Sequence, residues 1–239
     1  SEMCIRDRYY VNKYERIEHI IYMQEVFMAA IGIMGGTFNP IHLGHIAIAK
    51  AAYEQFHLDE IWFMPNHIPA YKSNQSLVSG EQRLAMIQLA IQAYPFFKAS
   101  DFELKREGKT YTYETMQLLK QQYPQDEFYF IMGADSLYYF ENWVHPEIIL
   151  ENAKILAAVR NQKTTDEMLL QIDRLNKMFK GSFFYLIDCP EIPCSSSAIR
   201  DKIQQIMKNG SGEPDLQKAQ DLMLPDGVLQ YIIQYHLYD

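Results

Sequence analysis

The sequence contains few cysteines, and this scarcity excludes several kinds of protein. Three cysteines in 239 residues cannot form the disulfide framework on which a small secreted domain depends. Cys189 and Cys194 are separated by four residues rather than two, so they do not match the spacing of a zinc or redox pair. We therefore interpret the cysteines as ordinary thiols of a protein in a reducing compartment.

The sequence also lacks a long apolar run and an excess of basic charge. No segment approaches the ~18 to 20 uninterrupted apolar residues of a membrane span, and the chain shows no signal-peptide pattern. We therefore expect a cytoplasmic protein with no membrane partner. The formal net charge of −8 argues against nucleic acid as a partner, because a nucleic-acid interface needs a clustered basic face. It does not argue against an anionic small molecule, for which a few local cations and helix N-termini suffice.

Internal repeats and long Pro/Gly/Ser linkers are missing too, and short apolar runs instead alternate with segments of helical periodicity. This alternation predicts an α/β fold: a single Rossmann-like, doubly wound parallel sheet with helices on both faces. Ser79 with Gln82 forms a capping-box pattern that predicts a helix start. Ligands of doubly wound parallel sheets bind beyond the carboxyl ends of the strands. The predicted strands are 30–34, 60–64, 96–102, 128–132, 154–159 and 183–187, and the predicted helices are 43–56, 80–93, 111–122, 166–179, 196–207 and 227–236.

A glycine-rich loop with two histidines follows the first predicted strand, reading Gly-Gly-Thr-Phe-Asn-Pro-Ile-His-Leu-Gly-His. Gly35 and Gly36 let a phosphate approach the backbone without a Cβ in the way, and Gly44 does the same at the helix start. His42 and His45 would lie at a helix N-terminus, which favours anions, and would stabilise the charge of a reacting triphosphate. The alternatives are a glycine turn with two incidental histidines, or a zinc site, for which His-x-x-His without a third ligand is weak evidence.

A second motif, far along the chain, has serines at a predicted helix start. Ser195 to Ser197 offer hydroxyl and N–H groups, and Arg200 can bind phosphate oxygens through its fork of donors. Alone, this motif would indicate only an N-capped helix with a solvated arginine. Together, however, the two motifs resemble the His-x-Gly-His loop and the Ile-Ser-Ser-Thr-x-Ile-Arg motif of the adenylyl- and cytidylyltransferase superfamily.

Three segments between these motifs resemble one family of that superfamily, the nicotinate mononucleotide adenylyltransferases. They are similar to that family's Pro-Asn-x-x-Pro-Pro-His-Lys/Arg, Arg-x-Gly-x-Ser-Tyr-Thr and Gly-Ala-Asp-Ser-Leu…Trp segments. Pantetheine-phosphate and glycerol-phosphate nucleotidyltransferases share the two outer motifs but lack this middle set. The matching segments are 65–72, 106–112 and 132–137 with Trp143 following, and the tail 224–238 also resembles the family.

The resemblance implies an activity: transfer of the AMP moiety of ATP to nicotinate mononucleotide, giving deamido-NAD and pyrophosphate in NAD biosynthesis. The implied reaction is an in-line attack by the mononucleotide phosphate, without a protein nucleophile. Mg²⁺ is the expected cofactor, bound mainly through ATP phosphates rather than by a protein metal site. A homo-oligomer is compatible with this interpretation.

The resemblance also implies a role for each matching residue, with a core position as the alternative for Trp143. The implied catalytic residues are His42, His45 and Arg200. The implied ATP-binding residues are Gly35, Gly36, Thr37, Phe38, Gly44, Gly133, Asp135, Ser196 and Ser197. The implied mononucleotide-binding residues are Asn66, Lys72, Tyr111, Thr112 and Trp143.

The sequence departs from the family pattern at three places. Asn39 stands where the family often has Asp, and Cys194 replaces an apolar residue and is expected to act as a small hydrophobe. Ala70 and Tyr71 replace Pro-His, which removes an imidazole contact to the mononucleotide phosphate. Two other functions stay open at this point: a nucleotidyltransferase of the same fold with another acceptor, and a nucleotide-binding regulator without catalysis.

The first residues match nothing in the family, and Ser1 to Arg8 resemble the translated sequence of a sequencing-library adapter. We therefore expect residues 1–27 to be a non-native or poorly ordered extension, and residues 28–239 to form the nucleotidyltransferase domain. The opposing interpretation is a genuine N-terminal helix, since Ile17, Ile20 and Ile21 make a short apolar stripe.

Overall fold

A central six-stranded sheet organises the computed structural model, which describes residues 28–67, 77–159, 164–190, 192–209 and 220–238. Every strand pair in it is parallel, as the strand–helix alternation predicts. The predicted extension 1–27 and the predicted phosphate ligand Lys72 lie outside the described residues. The strands are β1 (Ala30–Gly36), β2 (Glu60–Pro65), β3 (Phe97–Ala99), β4 (Glu127–Gly133), β5 (Lys154–Ala158) and β6 (Phe184–Ile187).

The strand order is β3-β2-β1-β4-β5-β6, so the order reverses between β1 and β4. At this point the chain leaves neighbouring strands toward opposite faces of the sheet, which opens a crevice beyond their carboxyl ends. β1 pairs with β4 over a register in which Met34 lies beside Ile131. The loops after β1 and β4 therefore border the same crevice, and both contain residues that the sequence assigns to ATP.

Helices cover both faces of the sheet, which confirms the predicted fold class. Alternate strand residues face opposite sides, so that Ile33 packs in one core cluster and Met34 in the other. One face holds α1, α2, α7 and α8, and the other holds α3 to α6. The helices are α1 (Leu43–Gln55), α2 (Gly80–Ile91), α3 (Thr112–Gln122), α4 (Ala134–Tyr139), α5 (Pro146–Asn152), α6 (Thr165–Met178), α7 (Ser196–Asn209) and α8 (Val228–Gln234), with short 3₁₀ turns at Phe140–Asn142 and Gln220–Leu222.

Local sequence signals explain several element boundaries. The predicted capping box is confirmed: Ser79 Oγ accepts the Gln82 N–H at 3.1 Å, and Gln82 Oε1 accepts the Ser79 N–H at 3.1 Å. The third strand is shorter than the predicted 96–102. It ends at Ala99 because the following residues form turns, in which Lys105 donates its N–H to the Asp101 carbonyl at 3.1 Å. None of the helices in the described part of the chain is long and apolar enough to span a bilayer.

Candidate active site

A cavity of about 540 Å³ lies at the point where the strand order reverses. It is bordered by the loop after β1, the end of β4 and the starts of α1 and α7. The structure thereby brings together the two motifs that the sequence places at opposite ends of the domain. The lining residues among those predicted to bind or act on ATP are Gly35, Gly36, Thr37, Phe38, His42, His45, Gly133, Ser196, Ser197 and Arg200.

The two histidines form a stacked pair at the start of α1. Their ring centroids are 3.7 Å apart with 25° between the planes. His45 Nδ1 accepts the backbone N–H of His42 at 3.2 Å, so in the neutral ring the proton sits on Nε2. His42 is the N-cap residue and only 2% exposed, whereas His45 is half-buried. His45 thus offers an N–H donor to an anion at a helix N-terminus.

Gly44 packs directly against Cys194, which brings the two helix starts into contact. A Cβ at Gly44 would lie 2.9 Å from Cys194 Sγ, closer than such atoms approach. Cys194 Sγ also lies 3.2 Å from His42 Nδ1, within hydrogen-bond distance of the imidazole. The thiol therefore contacts a predicted catalytic group, in addition to the role of small hydrophobe that the sequence suggests.

The start of α7 is tied to the loop after β1 by two hydrogen bonds. Ser196 Oγ donates to the Pro40 carbonyl at 2.9 Å, and Arg200 Nη1 donates to the Asn39 carbonyl at 2.8 Å. Ser195 Oγ accepts the Ala198 N–H at 3.2 Å, as an N-cap serine does. In this structure the Ser196 hydroxyl thus donates to the loop. The Arg200 guanidinium both donates to the loop and lines the cavity.

A second cavity, of about 180 Å³, adjoins the first. The two share Gly35, Gly36, Phe130 and Trp143 among their lining residues. Trp143 stands edge-on to Phe130, with ring centroids 5.9 Å apart. It is half-buried, packs on the core and also borders both cavities, a position compatible with either interpretation of this residue. The predicted mononucleotide residues that line the second cavity are Asn66, Tyr111, Thr112 and Trp143.

Arg83 connects the loops of the two cavities, although no sequence motif predicts it. It is 1% exposed and makes five hydrogen bonds. Nη1 donates to the Thr37 carbonyl at 2.8 Å, and Nη2 donates to the Asn66 carbonyl at 2.7 Å. Nη1 also donates to Asn66 Oδ1 at 3.3 Å, so the group that Asn66 can offer to an anion is its amide NH₂. Burial lowers the pKa of Arg83 from its usual value.

A carboxyl group organises the wall of the second cavity. Glu103 accepts hydrogen bonds from the hydroxyls of Thr110 at 2.9 Å and Thr115 at 2.6 Å. Desolvation raises the pKa of the Glu103 carboxyl, although these hydroxyls and the nearby Arg106 partly oppose the shift. Arg106 also contacts Glu114 in the first turn of α3. This network fixes the segment that leads to Thr112, at a helix N-terminus suited to a carboxylate.

Two further predicted ligands lie elsewhere. Asp135 is exposed in the first turn of α4, where its neighbours Gly133 and Ser136 line the larger cavity. Gly44 faces Cys194, as described above. Within the described ranges, no group of three or more His, Cys, Asp or Glu side chains is arranged to hold a metal ion.

Comparison with known proteins agrees with this geometry. The model of the cytidylyltransferase-like family matches residues 33–202. The probable nicotinate-nucleotide adenylyltransferase of Lachnoclostridium phytofermentans is 44% identical over 88% of this chain and all of its own length. The nicotinate-nucleotide adenylyltransferase of Bacillus subtilis is 35% identical over 89% of this chain and all of its own length.

Solved structures agree on the fold. The Plasmodium falciparum nicotinic acid mononucleotide adenylyltransferase, complexed with APC, superposes with a TM-score of 0.68 at 24% identity, covering 88% of this chain and 98% of that one. The putative Vibrio parahaemolyticus nicotinate-nucleotide adenylyltransferase has a TM-score of 0.58 at 19% identity, with 88% and 96% of the two chains covered. The chain therefore belongs to the nicotinate-nucleotide adenylyltransferase family, within the cytidylyltransferase-like proteins.

Proposed function

We propose that this protein transfers the AMP moiety of ATP to nicotinate mononucleotide, giving deamido-NAD and pyrophosphate. The observation that supports this most directly is the pair of contiguous cavities at the reversal of strand order. The larger is bordered by two helix starts, two histidines and an arginine, which suits a triphosphate. The smaller is bordered by an indole and a helix N-terminus, which suits a flat ring with a carboxylate.

The shared wall explains how the two substrates would react. A mononucleotide in the smaller cavity would present its phosphate across Gly35 and Gly36 to the α-phosphorus of ATP. A phosphate oxygen forms the new bond to the α-phosphorus, the bond to the bridging α–β oxygen breaks, and pyrophosphate leaves with that electron pair. The residues of the larger cavity contribute by positioning ATP and by stabilising charge, with His45 Nε2 and the Arg200 guanidinium as donors toward the phosphates.

We propose that Mg²⁺ binds together with ATP. Mg²⁺ would neutralise phosphate charge, held by phosphate oxygens and water. The larger cavity fits that form of binding, because its lining includes His45 and Arg200 as donors toward the place where the phosphates would lie.

We further propose that nicotinate mononucleotide is preferred over nicotinamide mononucleotide. The start of α3, at Thr112, borders the smaller cavity, and charge-assisted bonds from N–H groups to a carboxylate are stronger than those to a neutral amide. Asn66 would contact the mononucleotide phosphate through the amide NH₂ that Arg83 orients. Trp143 would stack on the pyridine ring.

The test measures pyrophosphate release and the dinucleotide product with ATP and each of the two mononucleotides. We expect kcat/KM to be at least ~10-fold higher for the nicotinate form, the ratio that about 1.4 kcal/mol of differential binding produces.

Three other outcomes would contradict the proposal. Equal specificity constants would refute the nicotinate preference. Release of pyrophosphate only with another phosphate acceptor would identify a different nucleotidyltransferase. Tight ATP binding without turnover on any acceptor would indicate a regulator.

A further inference from the structure

The segment that includes α8 contacts the loop after β1, although no sequence motif predicts a role for it in the site. Tyr238 Oη donates to Asn39 Oδ1 at 2.8 Å, a contact between residues 199 positions apart. Both residues are only 6% exposed. The Leu43 N–H, at the start of α1, donates to the Met223 carbonyl at 2.9 Å. The chain from 220 to 238 thus contacts the loop on both sides of the first histidine.

Asn39 is the residue at which several parts of the molecule meet. Its side-chain oxygen accepts the Val78 N–H at 3.3 Å as well as the Tyr238 hydroxyl, and its carbonyl accepts Arg200 Nη1. The preceding Phe38 has φ = 48°, in the left-handed region that a bulky residue rarely adopts. Because that backbone conformation is unfavourable by itself, the surrounding contacts must hold the loop in place.

The surroundings of Tyr238 keep its hydroxyl protonated. Burial raises the pKa of the phenol well above its usual value, and the nearby guanidinium groups of Arg200 and Arg83 only partly oppose the shift. The hydroxyl therefore remains a hydrogen-bond donor to Asn39 throughout the pH range of an assay. The same two arginines contact the two loops of the site, so Tyr238 lies among the groups that fix the site's shape.

We infer that Tyr238 is a positioning residue for the ATP site. It holds Asn39 so that His42, His45 and Arg200 converge on the triphosphate. This inference rests on the proposed function in one respect only, the assignment of the larger cavity to ATP. It extends the site beyond the residues 33–202 that match the family model.

The test compares Tyr238→Phe with two control variants. Tyr238→Phe removes the hydroxyl and keeps the buried ring. Tyr235→Phe removes a hydroxyl from the C-cap residue of α8, three positions before Tyr238 and 51% exposed. Ile232→Val trims a buried side chain of α8, so it lowers stability without removing a hydrogen bond to the loop. For Tyr238→Phe we expect the dissociation constant of α,β-methylene-ATP and the KM for ATP to rise about 5- to 10-fold, the effect of one lost hydrogen bond.

A purely structural role would give a different pattern. If Tyr238 acts by positioning, the KM for the mononucleotide stays within about 2-fold of wild type, which is the scatter expected of a surface substitution. Both control variants then keep normal kinetics well below their melting temperatures. Unchanged ATP constants in Tyr238→Phe would overturn the inference. So would an equal loss of ATP affinity in Ile232→Val, if that variant has the same melting temperature as Tyr238→Phe. The binding measurement needs no mononucleotide, so it remains decisive even if nicotinate mononucleotide proves not to be the acceptor.

Discussion

Replacing Arg83 by methionine should destabilise the protein and weaken binding in the smaller cavity more than binding in the larger one. Methionine has a similar length but no donors, so the carbonyls of Thr37, Asn66 and His67 lose the guanidinium that binds them. Arg83 is almost completely buried, so water cannot take the place of the lost donors without a rearrangement. The change therefore leaves several buried acceptors unsatisfied in two loops at once.

The size of the effect follows from these contacts. Each buried acceptor without a donor costs about 1–3 kcal/mol, and removal of a desolvated cation returns part of that sum, so we expect a net loss of about 2–4 kcal/mol. For a protein of this length, each kcal/mol lowers the melting temperature by about 2–4 °C, which gives a decrease of roughly 4–16 °C. Since Arg83 also orients the Asn66 amide, the KM for the mononucleotide should rise more than the KM for ATP.

The assay is thermal unfolding by circular dichroism together with steady-state kinetics at a temperature where every variant is folded. Arg83→Lys keeps the charge, but one ammonium group cannot reach the acceptors of both loops, so it should recover only part of the loss. Arg174→Met is the matched control, because an exposed arginine of α6 that pairs with Glu141 contributes about 0–1 kcal/mol. A melting temperature of Arg83→Met equal to that of the control, or full recovery in Arg83→Lys, would refute the reasoning.

Three other variants test the remaining parts of the site. His45→Ala should lower kcat by ~10²-fold or more in a folded protein, the scale of one lost transition-state donor, and near-normal turnover would make this histidine structural. Trp143→Ala should raise the KM for the mononucleotide more than that for ATP, whereas equal losses would indicate only a packing role. Glu103→Gln tests linkage to pH. Because burial raises the native pKa of Glu103, its stabilising contribution is full below the ordinary carboxyl pKa of 4.5 and declines as pH rises through the native value. In unfolding experiments between acidic and neutral pH, the variant should lack this decline in the free energy of unfolding. An unchanged pH profile would show that other groups cause the decline.

The sequence predicts the sheet well because each strand carries its own signal. The apolar runs before Gly35 and Gly133 mark buried strands, and the alternation with helices requires a parallel arrangement. The predicted third strand is too long because Phe96 and Phe102 extend the apolar pattern on both sides of β3. Backbone hydrogen bonds decide its end: the pairing with β2 reaches Ala99, and the segment after Ser100 makes turns within itself.

The sequence singles out residues with strong local motifs, most of which line the two cavities, and it misses residues that act over long distances. Arg83 could have been found, since it shares a helical face with Met86, Ile87 and Ala90, and a cation on an apolar face needs partners. The contact between Asn39 and Tyr238 has no comparable signal, because a residue pair so far apart in sequence is brought together only by the completed fold. The helices α4 and α5 were likewise missed, each being only about two turns long.

The position of the cavities between β1 and β4 has a consequence for how the protein folds. Strands β1 to β3 are consecutive in the chain and adjacent in the sheet, so that half can assemble as it is synthesised, and the same holds for β4 to β6. Within the sheet, the pairing of β1 with β4 joins the halves, and it brings together segments that are far apart in the chain, such as Ala30 and Glu127. The two cavities are formed along this junction, so we expect binding competence to be acquired late in folding. Ligands that bind there would in turn hold the two halves together against partial unfolding.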